Sequence, residues 1–189
     1  AQYCVENYPA NHYLIIPQNH GGSWRGCCWD DGYPAGSDHL SLSDLKTAFS
    51  TISSYIGRKV DVVFFNDCLM NAIEVVYQLQ PYVDFQAGSE TISWTSTCDN
   101  EYISILQDMV NNPSLSSQQL TINITNHQSP VDNSGYRTQC ISSIDLNKIQ
   151  DLVNYVDMLS TKLRNNLSLY KNQIQQASMI DLMVDKDIN

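Results

Sequence analysis

The sequence predicts an α/β fold in which a mostly parallel sheet is flanked by helices on both faces. Three observations carry this reading. Short β-rich apolar runs alternate with amphipathic helical stretches, in the order strand, helix, strand, helix. The run from Val60 to Phe65 holds a single polar residue, Asp61, as expected for a strand buried on both faces. A strand joined through a helix to a second strand normally forms a parallel, right-handed unit.

The elements follow in order. Tyr13-Leu14-Ile15-Ile16 is the first strand and leads into the polar stretch Gln18-Asn19-His20-Gly21-Gly22. From Ser41 the period changes: Leu42, Leu45, Phe49, Ile52 and Ile56 recur every three or four residues. Ser41 and Asp44 fit a capping box, and Gly57 suits the stop. After the second strand, Leu69, Ala72, Ile73, Val76 and Leu79 restore helical spacing, so a helix is expected from Cys68 until Pro81 ends it. Val83 to Ala87 is a third strand, followed by a polar loop through Asp99 that contains Ser89, Thr91, Ser93, Thr95, Ser96 and Thr97.

Helices are expected over Glu101 to Val110 and Ser116 to Asn126, and a strand over Tyr136 to Ser143. Asp145 then caps a long helix whose Leu146, Ile149, Leu152, Val156, Leu159 and Leu163 share one face. No internal repeat or low-complexity linker interrupts the chain, and residues 1–189 read as a single domain.

Composition excludes several function classes. Acidic residues number 20 against 10 basic, a formal charge of −10, which repels nucleic acid and anionic membrane surfaces. No apolar stretch approaches the roughly 18 residues that a membrane span needs. There is no P-loop or dinucleotide fingerprint. The six cysteines (Cys4, Cys27, Cys28, Cys68, Cys98 and Cys140) show no C-x-x-C spacing, so no metal site is expected from them. If Cys68 is a free thiol, the rest form two bridges at most, and adjacent Cys27 and Cys28 would rarely bond each other. His12, His39 and His127 are read as surface or loop residues, and Trp24 and Trp29 as packing residues.

Ligand sites in parallel sheets lie beyond the carboxyl ends of the strands. His20 and Cys68 each follow such an end, so residues far apart in sequence are expected on one sheet edge. A cysteine between a buried strand and a helix start has two advantages: the helix dipole favours the thiolate, and nearby amides can hold an oxyanion. A histidine on the same edge can lower the thiol pKa as an imidazolium and then protonate a departing amine.

Local sequence adds to this. His20-Gly21-Gly22-Ser23-Trp24-Arg25-Gly26, Cys28-Trp29-Asp30-Asp31 and Phe64-Phe65-Asn66-Asp67-Cys68-Leu69-Met70 resemble the histidine and cysteine blocks of the clostripain family. Tyr8-Pro9-Ala10, Glu74-Val75-Val76-Tyr77, Gly88-Ser89-Glu90 and Ser143-Ile144-Asp145-Leu146 resemble further family segments in the right order. The resemblance implies a caspase-like fold and a cysteine endopeptidase with His20 and Cys68 as catalytic dyad, often cleaving after a basic residue. It implies the backbone amides of Gly21 and Cys68 as oxyanion donors, and Asn66, Asp67, Ser89, Glu90 and Trp94 beside the substrate. It also implies a peptide or protein substrate, no required cofactor although some members depend on calcium, and a secreted or cell-surface location. The Asp30-Asp31 pair reads as a solvated acidic turn rather than a cation site.

Relative to the family pattern this chain lacks the first strand or strands, so it is expected to be a processed chain, a proteolytic fragment or part of a longer polypeptide, with another chain of the same precursor among its candidate partners. Where the family has an acidic residue two positions before the cysteine and alanine just before it, this chain has Asn66 and Asp67. The amide weakens recognition of a basic side chain. A carboxylate at 67 opposes thiolate formation if it faces Cys68, although strand alternation points it away from the face that residue 66 uses. A catalytically silent caspase-like module that binds peptides or supports an assembly is the alternative.

Overall fold

A computed structural model describes residues 2–32, 38–93, 98–128 and 140–178 of the chain. It divides into two compact units, residues 1–149 and 150–189. The first unit begins with α1 (Gln2–Asn7), β1 (Leu14–Ile15), β2 (Cys27–Asp30), β3 (Asp38–Leu40) and α2 (Leu42–Ile56). It continues with β4 (Val60–Phe64), α3 (Ile73–Leu79), β5 (Val83–Ser89), α4 (Cys98–Asn111), α5 (Ser117–His127) and β6 (Ile141–Asp145). The main sheet has the order β1-β4-β5-β6, with β1, β4 and β5 parallel and β6 antiparallel to β5. A separate antiparallel pair joins β2 to β3. The expected mostly parallel sheet is thus present, with one antiparallel edge.

β4 is central and buried along its whole length. Its side chains alternate between two clusters: Val63 and Phe65 pack with Leu45, Phe49, Val75 and Leu79 of α2 and α3, whereas Val62 and Phe64 pack with Ile105 of α4 and Ile124 of α5. Helices therefore cover both faces. The capping box at Ser41 and Asp44 forms as the sequence suggests, and Gly57 ends α2 at φ 71°, in the left-handed region open to glycine.

The lone polar residue of β4, Asp61, is buried but well partnered. Its carboxylate receives His12 Nδ1 at 2.7 Å, Arg58 Nη1 at 2.7 Å and the Tyr13 N–H at 2.9 Å. Burial alone would raise its pKa, but these bonds outweigh it and hold the carboxyl below its ordinary value. His12 lies in an exposed loop, as expected, and is thereby also a partner of β4. His127 likewise bonds Asp108 at 2.8 Å, and His39 stacks on Trp29.

Two expectations need correction. The helix expected from Cys68 begins only at Ile73. Residues 67–72 form a turn in which Leu69 has φ 63°, and the N–H groups of Leu69 and Asn71 donate to the carbonyls of Thr91 and Ser89. Those bonds to the β5 side replace the helical ones, so the helical spacing of Leu69 and Ala72 reflects burial, not helix. The strand expected over Tyr136 to Ser143 is β6, shifted toward the carboxyl terminus, where Ile141 pairs with Ser89 and Asp145 with Phe85; residues 129–139 lie outside the described part.

Asp145 accepts from the Asn147 N–H and starts a 3-10 turn, Leu146–Lys148, which runs into α6 (Ile149–Asn165). The second unit comprises the rest of α6 and α7 (Leu167–Ser178). The apolar positions Leu152, Val156, Leu159 and Leu163 of α6 are exposed. Among the described residues, no helix is long and apolar enough to cross a membrane.

Candidate active site

β1 and β4 run parallel, and the pairing continues past their ends through a bridge between Gln18 and Asn66. This register carries the two chemistry-bearing loops to one edge. Gln18, Asn19, His20, Asn66, Asp67, Cys68 and Ser93 line one cleft there, of about 260 Å³. His20 and Cys68, 48 positions apart in sequence, thus share a cleft as strand-end geometry predicts.

The His20 loop is held from below. Its carbonyl accepts from the Cys28 N–H at 2.8 Å, its N–H donates to Asn19 Oδ1 at 2.6 Å, and Gly21 bridges Cys27. Gly21 is required by close approach: a Cβ there would lie 2.0 Å from the Cys68 carbonyl oxygen and 2.9 Å from the Asp67 Cβ. Among the described residues, no hydrogen bond engages the backbone N–H of Gly21 or of Cys68. Two unused backbone donors therefore lie in the loops that carry His20 and Cys68.

Cys68 is a half-buried free thiol. Its Sγ accepts from the Ser93 N–H at 3.3 Å and can donate to the Ser93 carbonyl at 3.6 Å. Because α3 begins at Ile73, five positions after Cys68, the sulfur does not sit at the first turn where a helix dipole would favour a thiolate. Polar environment here comes instead from the loop after β5. Cys4, Cys27, Cys28 and Cys140 are also free thiols.

Asn66 and Asp67 turn to opposite sides, as strand alternation requires. Asn66 Nδ2 donates to the Tyr102 hydroxyl at 2.8 Å, and that hydroxyl donates to Gln18 Oε1 at 2.9 Å, on the α4 side. Asp67 lies on the other side, against Cys27 and Cys28, where its Oδ1 accepts from the Asn19 N–H. Burial is the main cause that pushes the Asp67 carboxyl up to about 6, against the lowering effect of that N–H, of the Cys27 thiol and of His20.

Ser89 and Glu90 do not line the cleft. Ser89 is buried, and its single hydroxyl proton is within reach of the carbonyls of Thr91 and Cys140, at 2.9 and 3.1 Å. Glu90 accepts from the Ser142 hydroxyl at 2.7 Å, toward β6. Both organise the loop that delivers Ser93. Trp94 lies outside the described residues. Gln18, Ser93 and Tyr102 were not singled out in the sequence; for the first two the available signal was their place in loops after strands.

A calcium site finds no support in the donor set. Asp30 is exposed and its Oδ1 accepts from the Gly32 N–H at 3.0 Å. Among the described residues, the one group of three or more metal-ligating side chains is Cys27, Cys28 and Asp67, which is sulfur-rich where calcium needs six or more oxygens.

Comparison with known proteins accords with this geometry. Residues 1–188 match the sequence profile of the clostripain family. Clostripain of Hathewaya histolytica is 36% identical over 90 residues, which is 42% of this chain and 16% of that protein. Among solved structures, a secreted C11 cysteine protease from Bacteroides thetaiotaomicron bound to an irreversible peptide inhibitor is similar. It has a TM-score of 0.58 at 20% identity, covering 78% of this chain and 43% of that one. A secreted C11 cysteine protease from the same organism, iotapain, gives a TM-score of 0.60 at 17% identity, covering 85% and 47%. The chain thus spans less than half the length of these relatives.

Proposed function

Because the chain belongs to the clostripain family, we propose that it carries the catalytic core of a cysteine endopeptidase acting on peptides or proteins. The carrying observation is that His20 and Cys68 line one cleft at the carboxyl edge of the sheet. In this reading Cys68 Sγ attacks the scissile carbonyl, and the unused N–H groups of Gly21 and Cys68 receive the oxyanion. His20 takes the Cys68 thiol proton and gives it to the amine that leaves as the C–N bond breaks, and water then hydrolyses the thioester, returning a proton to Cys68. Preference for a basic side chain is weak, because the residue at the family's acidic position is the neutral Asn66, whose amide already bonds Tyr102. The similar secreted proteases favour a secreted protein.

An electrophilic peptide probe tests the assignment. Labelling at neutral pH is expected on Cys68 alone, with peptide hydrolysis falling at least about a thousandfold in Cys68→Ala and in His20→Ala. An inert Cys68 in the unmodified protein would replace this reading with the silent peptide-binding module, and full activity in either variant would overturn the Cys68/His20 assignment.

A further inference from the structure

Cys27 and Cys28 are neighbours on β2, and in a regular strand their side chains would point to opposite faces. Here they do not. Cys28 has φ 58°, a conformation uncommon for residues other than glycine, and the β2–β3 register shifts between Cys27 and Asp30. The Sγ atoms of Cys27 and Cys28 and a carboxylate oxygen of Asp67 consequently all lie within 4.8 Å of one another. Tetrahedral ligands around Zn²⁺ stand about 3.5 to 3.8 Å apart, so small side-chain adjustments close the set.

The second observation is an orphaned acceptor. Asp67 is 2% exposed, and while Oδ1 takes the Asn19 N–H, its buried Oδ2 has no hydrogen-bond partner among the described residues. The Cys27 thiol beside the carboxyl is a weak donor. A buried carboxylate oxygen left this way is costly, and a cation in the cluster would satisfy it.

We propose that Cys27, Cys28 and Asp67 form a binding site for a thiophilic divalent cation of the Zn²⁺ class. Two sulfurs and one carboxylate oxygen select such a metal over calcium or magnesium. Each thiol gives its proton to solvent as its sulfur binds, and water fills the fourth position. The site ties β2 to the turn that carries Cys68, yet it uses neither His20 nor Cys68. It therefore does not depend on the peptidase reading.

The test uses the 189-residue chain with Cys4→Ser, Cys68→Ala and Cys140→Ser, which removes two exposed thiols and the half-buried one as competing ligands. After chelator stripping, one equivalent of Cd²⁺ is expected to give the ultraviolet charge-transfer band of two bound thiolates, and Zn²⁺ to displace it while raising the melting temperature. Asp67→Asn, which keeps both thiols and an acceptor for Asn19, should weaken Zn²⁺ binding at least about tenfold. Cys27→Ser with Cys28→Ser should abolish the band. Absence of a saturable equivalent, unchanged affinity in Asp67→Asn, or a Cys27–Cys28 disulfide in the unreduced protein would each overturn the proposal. The Asp67→Asn arm decides the matter if the double variant fails to fold.

Discussion

The two residues before Cys68 sit one position apart and live in opposite chemistry. On the α4 side, Asn66 feeds a neutral chain of hydrogen bonds through Tyr102 to Gln18. On the β2 side, Asp67 is a buried acid among thiols, with one oxygen bonded and the other orphaned. The difference teaches that strand alternation lets a protein place a neutral hydrogen-bonded environment and a buried acidic one on either flank of a single cysteine. The tolerance of each flank should differ accordingly.

The tightest contact on the Asp67 flank should give the largest effect. Gly21→Ala sets a methyl group 2.0 Å from the Cys68 carbonyl oxygen, so the His20 loop and the nucleophile turn must separate. Peptidase kcat/KM is expected to fall about a thousandfold, through lost oxyanion donors and misplaced histidine. Steady-state kinetics on the folded variant would check this; near-normal turnover would show that the two loops are not held by this contact.

Next in size is the acid itself. The Asp67 carboxyl has a folded pKa of about 6 against an ordinary 3.8, so the folded protein keeps a proton that the unfolded chain has released. Stability is then greatest below the unfolded value and falls as pH rises from about 4 through about 6. Asp67→Asn removes that fall. With solvent screening allowed for, the metal-free variant should gain about 2 kcal/mol at pH 8 and show little pH dependence across this window. Denaturant titrations at pH 4, 6 and 8 measure it, and parallel curves for the two proteins would place the acid's titration elsewhere.

The smallest effect concerns the other flank. Asn66→Asp restores a carboxylate where the family has one, and should improve kcat/KM for substrates with Lys or Arg before the scissile bond about tenfold relative to neutral ones. Competition between paired peptide substrates reads this ratio. No change would mean that residue 66 does not meet the substrate side chain.

Much of the frame was legible because it is local. The capping box at Ser41 and Asp44, the apolar run of β4 and the alternation of Asn66 and Asp67 are set by neighbouring residues. So was the shared edge of His20 and Cys68, which follows from the handedness of a strand-helix-strand unit. What was not legible depends on distant backbone. The turn at 67–72 was read as helix because burial and helical period coincide there, whereas the bonds from Leu69 and Asn71 to Thr91 and Ser89 decide its path. The grip of Ser93 on Cys68 and the gathering of Cys27 with Cys28 arise the same way. The second depends on a left-handed residue at Cys28 that breaks the alternation on which sequence reading relies.

The bonds from Leu69 and Asn71 also set a timescale. Gln86, wholly buried in β5, adds two more links to the same turn, donating to the Met70 carbonyl at 2.8 Å and to Asn71 Oδ1 at 2.9 Å. Most catalytic loops belong to the least stable part of a protein and fluctuate open on their own. Here the turn that carries Cys68 is stitched to a core strand, so its amide protons are expected to exchange together with those of the sheet, and the sulfur to be displaced only when that unit opens.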